Sequence, residues 1–431
     1  MKLDKWARLK RHAALPLAVA AAVLITLVIV DVRSAKGQGT YMAEHLQGDS
    51  SVLEDVTVSG AIVDGNHKTS FAWRGSEVSI DTEVYPYARN EWRYRYGYGF
   101  YKRIGDYYYS ASGNIWGQEY SVTRQENRAN RMVNYEHAAA SIPVRPIVYK
   151  ENAADYTNKP DYGLAAIGEE VFFTVVTTKG YKGTNGIYKL AFDPTSPYIP
   201  PDERQQSSPI MTFSLDANED EHTGGIEVLG LESVGGKLAL ILVKEGALVI
   251  EGYSTSGERL GEAKVEPFSL SGRDQSGTNR VNHYESYEAY SNDESGMLSL
   301  SFLSNQSART IVSLDFTENV RLADVTVASI EDDKIKEESE YGYNVRFITF
   351  KNGRLYYASV VRESEETEQA NIYGIHPIKF MLHVYESGEL VYKGELHTDI
   401  NDDLIRVKNY FDQSFSYDPI EYRNIYDVRI D

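Results

Sequence analysis

"IEVLGLESVGGKLALILVKEGALVIEGYSTSGERLGEAKV" (residues 226–265) decides how this chain is read. It holds four strand-like runs, Ile226–Ser233, Lys237–Lys244, Ala247–Tyr253 and Arg259–Val265. Each gap between them is short and carries glycine or charge. Apolar, β-branched runs of this length between turn residues predict a four-stranded antiparallel meander. A meander of about 40 residues, repeated around a ring, is the blade of a β-propeller.

The rest of the chain repeats the core of this unit, a turn glycine followed by apolar residues two apart. It recurs as "GDYYYS" at Gly105, "GEEVFFTVV" at Gly168, "GGKLALILV" from Gly235, "SGMLSLSF" at Gly296 and "NGRLYYASV" at Gly353. Measured between Gly105, Gly168, Gly236, Gly296 and Gly353, the intervals are 63, 68, 60 and 57 residues. "GYSTSGERLGEAKV" (252–265) and "VYESGELVYKGEL" (384–396) share a second feature, a strand, a Ser-Gly-Glu turn and a strand. Longer intervals accommodate polar loops such as 196–209, 331–341 and 362–370.

Five units are counted this way, and strands remain at both ends, in 54–84 and in 405–410 and 425–430. Pairing the two ends in one sheet removes exposed edges and closes a ring. The fold class expected is therefore all-β, a propeller of about six four-stranded blades over 53–431. Seven blades, or tandem β-sandwiches, are the alternatives. The period is too long for a WD40 array. "QENRANRMVNYEHAAA" (125–140), free of proline and glycine, reads as a helix decorating one blade.

The N-terminus is a different object. Five basic residues in 1–12 precede an uncharged run, 13–30. As a helix those 18 residues reach about 27 Å, close to the hydrocarbon thickness of a bilayer. The expected organisation is a cytoplasmic tail (1–12), a transmembrane helix (13–30), a polar tether (31–52) and an extracytoplasmic domain. A cleaved signal peptide fits less well, because the run is long and Arg33 interrupts the small-residue pattern ending at Ala35. The chain has no cysteine, which rules out a lipoprotein anchor, disulfides and thiol catalysis.

Formal charge is −19, and about −23 once the basic tail is set aside. That argues against nucleic acid and anionic lipid as partners. No nucleophile elbow or HExxH motif is present, and His376, His383 and His397 form the closest histidine set. In "DANEDEHTGGIE", Asp216, Asn218, Asp220 and Glu227 take positions 1, 3, 5 and 12 of a calcium loop. Glu221 stands where that loop needs glycine, so the ordinary reading is an acidic connection between strands. "NRMVNYE" at Asn130 and "NRVNHYE" at Asn279 lie at different phases of the repeat and are read as coincidence. No cofactor, metal or catalytic residue is assigned.

The remaining feature is "EWRYRYGYGFYKRIGDYYYS" (91–110), with seven tyrosines. In a strand before Gly105, Trp92, Tyr94, Tyr96, Tyr98 and Phe100 share one face, read as packing between blades. Arg93 and Arg95 share the other and are the candidate ligand-binding residues. The expected function is a binding module for a protein, a peptide or wall glycan, possibly accessory to a membrane or signalling complex. The alternative is an extracellular glycoside hydrolase or lyase, which requires acidic and aromatic side chains at the mouth of the ring.

Overall fold

A computed structural model describes residues 14–36, 40–64, 67–84, 102–114, 118–128, 131–146, 160–177, 181–193, 207–215, 225–270, 283–304, 308–329, 346–362, 378–398 and 423–431. Helix α1 (Ala14–Lys36, 23 residues) comes first. Its side chains are described from Ala18 to Val30, and these are exposed. Among the described residues, no helix is long and apolar enough to cross a membrane.

Among the described residues, everything after α1 is β structure apart from short turns and 3-10 turns. β1 (Tyr41–Gly48) is followed by β2 (Val58–Asp64), β3 (His67–Arg74) and β4 (Glu77–Val84). Sheet I contains β5 (Lys102–Ile104), β6 (Tyr107–Asn114), β7 (Glu119–Arg128) and β8 (Arg131–Ser141). The short β9 (Val144–Pro146) joins sheet II, which contains β10 (Leu164–Ile167), β11 (Glu170–Phe173), β12 (Tyr181–Lys189) and β13 (Ser208–Ser214). Sheet III is β14 (Glu227–Val234), β15 (Lys237–Lys244), β16 (Ala247–Tyr253) and β17 (Arg259–Val265). Sheet IV is β18 (His283–Asn292), β19 (Met297–Ser304), β20 (Ala308–Asp315) and β21 (Arg321–Ser329). Sheet V is β22 (Arg346–Lys351), β23 (Arg354–Arg362), β24 (Ile378–Glu386) and β25 (Glu389–Thr398), with β1 added beyond β25. Sheet VI takes β26 (Arg423–Ile430) from the C-terminal region, followed by β2, β3 and β4. The domain is thus all-β, built of small antiparallel sheets.

The repeat glycines do one job. Gly105, Gly168, Gly236, Gly296 and Gly353 all have positive φ, between 58° and 77°. Each turns the first strand of its sheet into the second. Glycine adopts that left-handed backbone without a Cβ penalty. Sheet VI has no such turn, because its first two strands come from opposite ends of the described chain. Backbone bonds between Thr57 and Asp431, 2.8 and 3.1 Å, extend the β2–β26 ladder.

First strands also meet between sheets: β5 touches β10, β10 touches β14, β14 touches β18, β18 touches β22 and β22 touches β26. Apolar clusters fill the spaces between sheets. Leu298, Leu300 and Phe302 of sheet IV pack with Ala239, Ile241 and Val243 of sheet III. Trp73 meets Tyr392 edge-on at 6.4 Å between sheets VI and V.

Two expectations are corrected. Residues 125–140 are not a helix; they contribute to β7 and β8, which pair from Glu119↔Ser141 to Arg128↔Arg131. Tyr120, Val122, Ala138 and Ala140 are buried on the shared face, and that packing overrides helix propensity, a weak prior. The segment 31–52 is not a free tether either. β1 lies within it and pairs with β25 from Tyr41↔Thr398 to Gly48↔Tyr392. Tyr41 is buried there, and Asp49 caps the turn Ser50–Leu53.

Candidate functional site

β14, β18 and β22 are neighbouring first strands, and each carries a charged residue: Glu232, Glu288 and Arg346. Arg346 Nη1 donates to Glu288 Oε1 at 2.9 Å, and Tyr290 Oη donates to Glu288 Oε2 at 2.7 Å. Arg309, on β20, brings Nη1 to 3.4 Å from Glu288 Oε2 and donates to Ser301 Oγ at 3.2 Å. The two arginine side chains are only 7% and 8% exposed, against 30% for Glu288. Glu288, Tyr290, Arg309 and Arg346 thus form a half-buried polar cluster between sheets IV and V.

One residue earlier, Tyr287 points to the opposite face of β18 and donates to Glu232 Oε1 at 3.2 Å. Tyr162, from the turn Pro160–Gly163, packs edge-on against the Tyr287 ring at 5.0 Å. Gly230 of β14 makes room for this pair, since a Cβ there would collide with Tyr287 Oη and the Tyr162 carbonyl. On the sheet V side, Ser359 lies opposite Arg346, and Tyr357 lies opposite His383 with ring centroids 5.9 Å apart. Arg309 Nε and Ser359 Oγ are buried without a hydrogen-bond partner among the described residues.

The electrostatics sort these groups by role. Burial pushes the Glu288 carboxyl up, but Arg346 and Arg309, with hydrogen bonds from Tyr290 and Arg346, hold it below the usual carboxylate range. Burial, reinforced by the charge of Glu288, keeps the Tyr290 and Tyr162 phenols well above their ordinary value. Glu288 also holds the Arg346 guanidinium charged against its own desolvation. Burial lowers His383 to about 4, against a hydrogen bond to the Tyr357 backbone. The cluster therefore combines an ionised acceptor and protonated phenols with neutralised charge. Such a surface suits polar recognition, and an ionised Glu288 is in the wrong state to be a general acid.

The residues singled out from sequence fare differently. Arg93, Arg95, Asp216, Asn218, Asp220 and His376 lie outside the described residues, as does most of 91–110. Glu227 is 3% exposed and opens β14. His383 faces the seam between sheets IV and V, and His397 is exposed on β25. Among the described residues no group of His, Asp and Glu could hold a metal. Glu288, Arg309 and Arg346 went unnoticed in the sequence. The available signal was a charged residue inside an alternating strand, "YEAY" at 287–290 and "ARTIVSL" at 308–314.

No family model and no curated protein sequence matches the chain. Among solved structures, it is similar to a putative 6-phosphogluconolactonase from Bacteroides fragilis, with 10% identity, 78% of this chain and 93% of that one covered, and a TM-score of 0.32. It is also similar to the periplasmic gluconolactonase of Pseudomonas aeruginosa, with 9% identity, 79% and 96% coverage, and a TM-score of 0.28. A third is the Nup133 β-propeller domain of Vanderwaltozyma polyspora, with 10% identity, 84% and 100% coverage, and a TM-score of 0.26.

Proposed function

We propose that this chain is a membrane-anchored, extracytoplasmic β-propeller of six blades that acts as a binding module for a peptide, a protein partner or wall glycan. The observation that carries the ring is the succession of first-strand contacts from β5 to β26, with sheet VI built from both ends. The apolar run within α1 and the basic residues before it support the anchor. The polar cluster around Glu288 supports binding over catalysis, because its charges are already paired.

The test uses the full chain in lipid nanodiscs, titrated with extracytoplasmic peptides and wall-glycan fragments. Tyr290→Phe and Tyr162→Phe should each weaken binding about tenfold, the scale of one hydrogen bond in a desolvated site. Tyr290→Phe should also lower the melting temperature, since it takes a donor from Glu288. Binding that ignores both substitutions removes the Glu288 cluster from the reading.

One observation favours a second reading as a glycan hydrolase: Glu232 and Glu288 stand on neighbouring first strands with tyrosines between them. Release of reducing ends, abolished by Glu232→Gln, would establish it in place of the first.

A further inference from the structure

Six large apolar side chains are exposed outside α1 among the described residues: Met42, Leu46, Ile80, Tyr135, Leu322 and Val327. Three of these six lie on β1 and β4, the strands next to the helix. Met42 is 57% exposed, Leu46 45% and Ile80 40%. β1 touches β4, and β4 touches α1.

The covalent link is short. α1 ends at Lys36, and β1 begins at Tyr41, tied to β25 along its whole length. Five Cα steps span at most about 18 Å even when fully extended. A bilayer's headgroup layer adds only about 6 Å beyond its hydrocarbon core. With the apolar run ending at Val30, residues 31–36 add about 9 Å of helix, so a helix that crosses the membrane keeps the start of β1 within about 21 Å of the lipid surface.

Face and chemistry agree with this. Tyr41 and His45 share one face of β1, where Tyr41 is buried and the exposed His45 places Nδ1 2.7 Å from Tyr392 Oη. Met42, on the opposite face, turns outward, and Leu46, where the register shifts, is exposed beside it. Isolated exposed apolar residues need no explanation. A group concentrated where the chain must meet lipid does. Glu44 sits between them, and Glu77, Asp81 and Glu83 are exposed on β4, so anionic lipid is disfavoured and a zwitterionic surface fits.

We infer that the rim formed by β1 and β4 rests edge-on against the bilayer, with Met42, Leu46 and Ile80 in its interfacial layer. This rests on the anchor reading of α1, and the test separates the two. The chain has no cysteine, so M42C, L46C, I80C, V327C and L24C can each carry a single nitroxide label without background. The full chain is placed in phosphatidylcholine nanodiscs, and collision rates with oxygen and with a neutral nickel chelate are compared by power saturation. Labels at 42, 46 and 80 should give an oxygen-to-chelate ratio at least about twofold above V327C, as for groups at an apolar interface. L24C should give the highest ratio. Labels at 42, 46 and 80 that match V327C while L24C stays high would overturn the rim contact and leave the anchor standing. An L24C ratio equal to V327C would overturn the anchor and the rim with it.

Discussion

Sheet IV has two unlike faces. Toward sheet III it presents Tyr287, Ala289, Leu298, Leu300, Phe302, Val312 and Leu314, all buried in one apolar cluster. Toward sheet V it presents Glu288, Tyr290, Ser299, Ser301, Ser313 and Thr326, the last four also buried. Ile311 and Ala328 are the apolar members of that second face, packing with Ile348 and Leu355. One sheet is therefore joined to its neighbours by two physical means. The dry interface is non-directional and tolerates small shifts. The polar one depends on donors and acceptors meeting at fixed geometry, and it fails sharply when one partner is removed.

The sharpest way to break this comparison is at the ion pair. Arg346→Met strands a carboxylate held by the lone remaining guanidinium of Arg309, and should cost about 3 kcal/mol of unfolding free energy. The double variant Glu288→Met with Arg346→Met should recover most of it. A double variant as unstable as the single one would mean that the pair is not a unit. Next is Leu300, fully buried on the dry face. Leu300→Ala should cost about 2–5 kcal/mol, whereas Ser301→Ala across the same strand should cost about 1 kcal/mol. Equal losses in denaturant titrations would erase the distinction between the faces.

A third effect is expected from pH. His383 is held at about 4 in the folded chain, below its ordinary 6.5. The unfolded chain thus binds the proton more readily between those values. Stability contributed by the neutral ring is complete above pH 6.5 and is lost as pH falls toward 4, by at most about 3 kcal/mol. His383→Gln should flatten the melting temperature across that range. A wild-type profile that is already flat would place His383 outside the buried seam.

Much of this was legible in the sequence. Three strands of 226–265 fall where the pattern put them, and the first is displaced by a single residue, Glu227–Val234. "LALILV" announces a strand apolar on both faces, and "LSLSF" one with a serine face. The stretch 125–140 misled because its alternation is carried by alanine, which suits a helix as well as a tightly packed strand. β1 was hidden for a related reason, since a strand with one buried residue reads as linker. The cluster around Glu288 was not legible at all. Glu288 and Arg346 are 58 residues apart and meet only because successive sheets stack.

Sheet VI carries a consequence for the order of assembly. β2 is made before β3, yet its partner β26 arrives only after every other described strand. Until then β2, β3 and β4 must persist as a three-stranded sheet with one open edge. Any other extended segment could occupy that edge in the meantime. Completion of the domain is thus tied to the last strand, and a chain shortened by β26 would retain local hairpins while losing the lock between its ends.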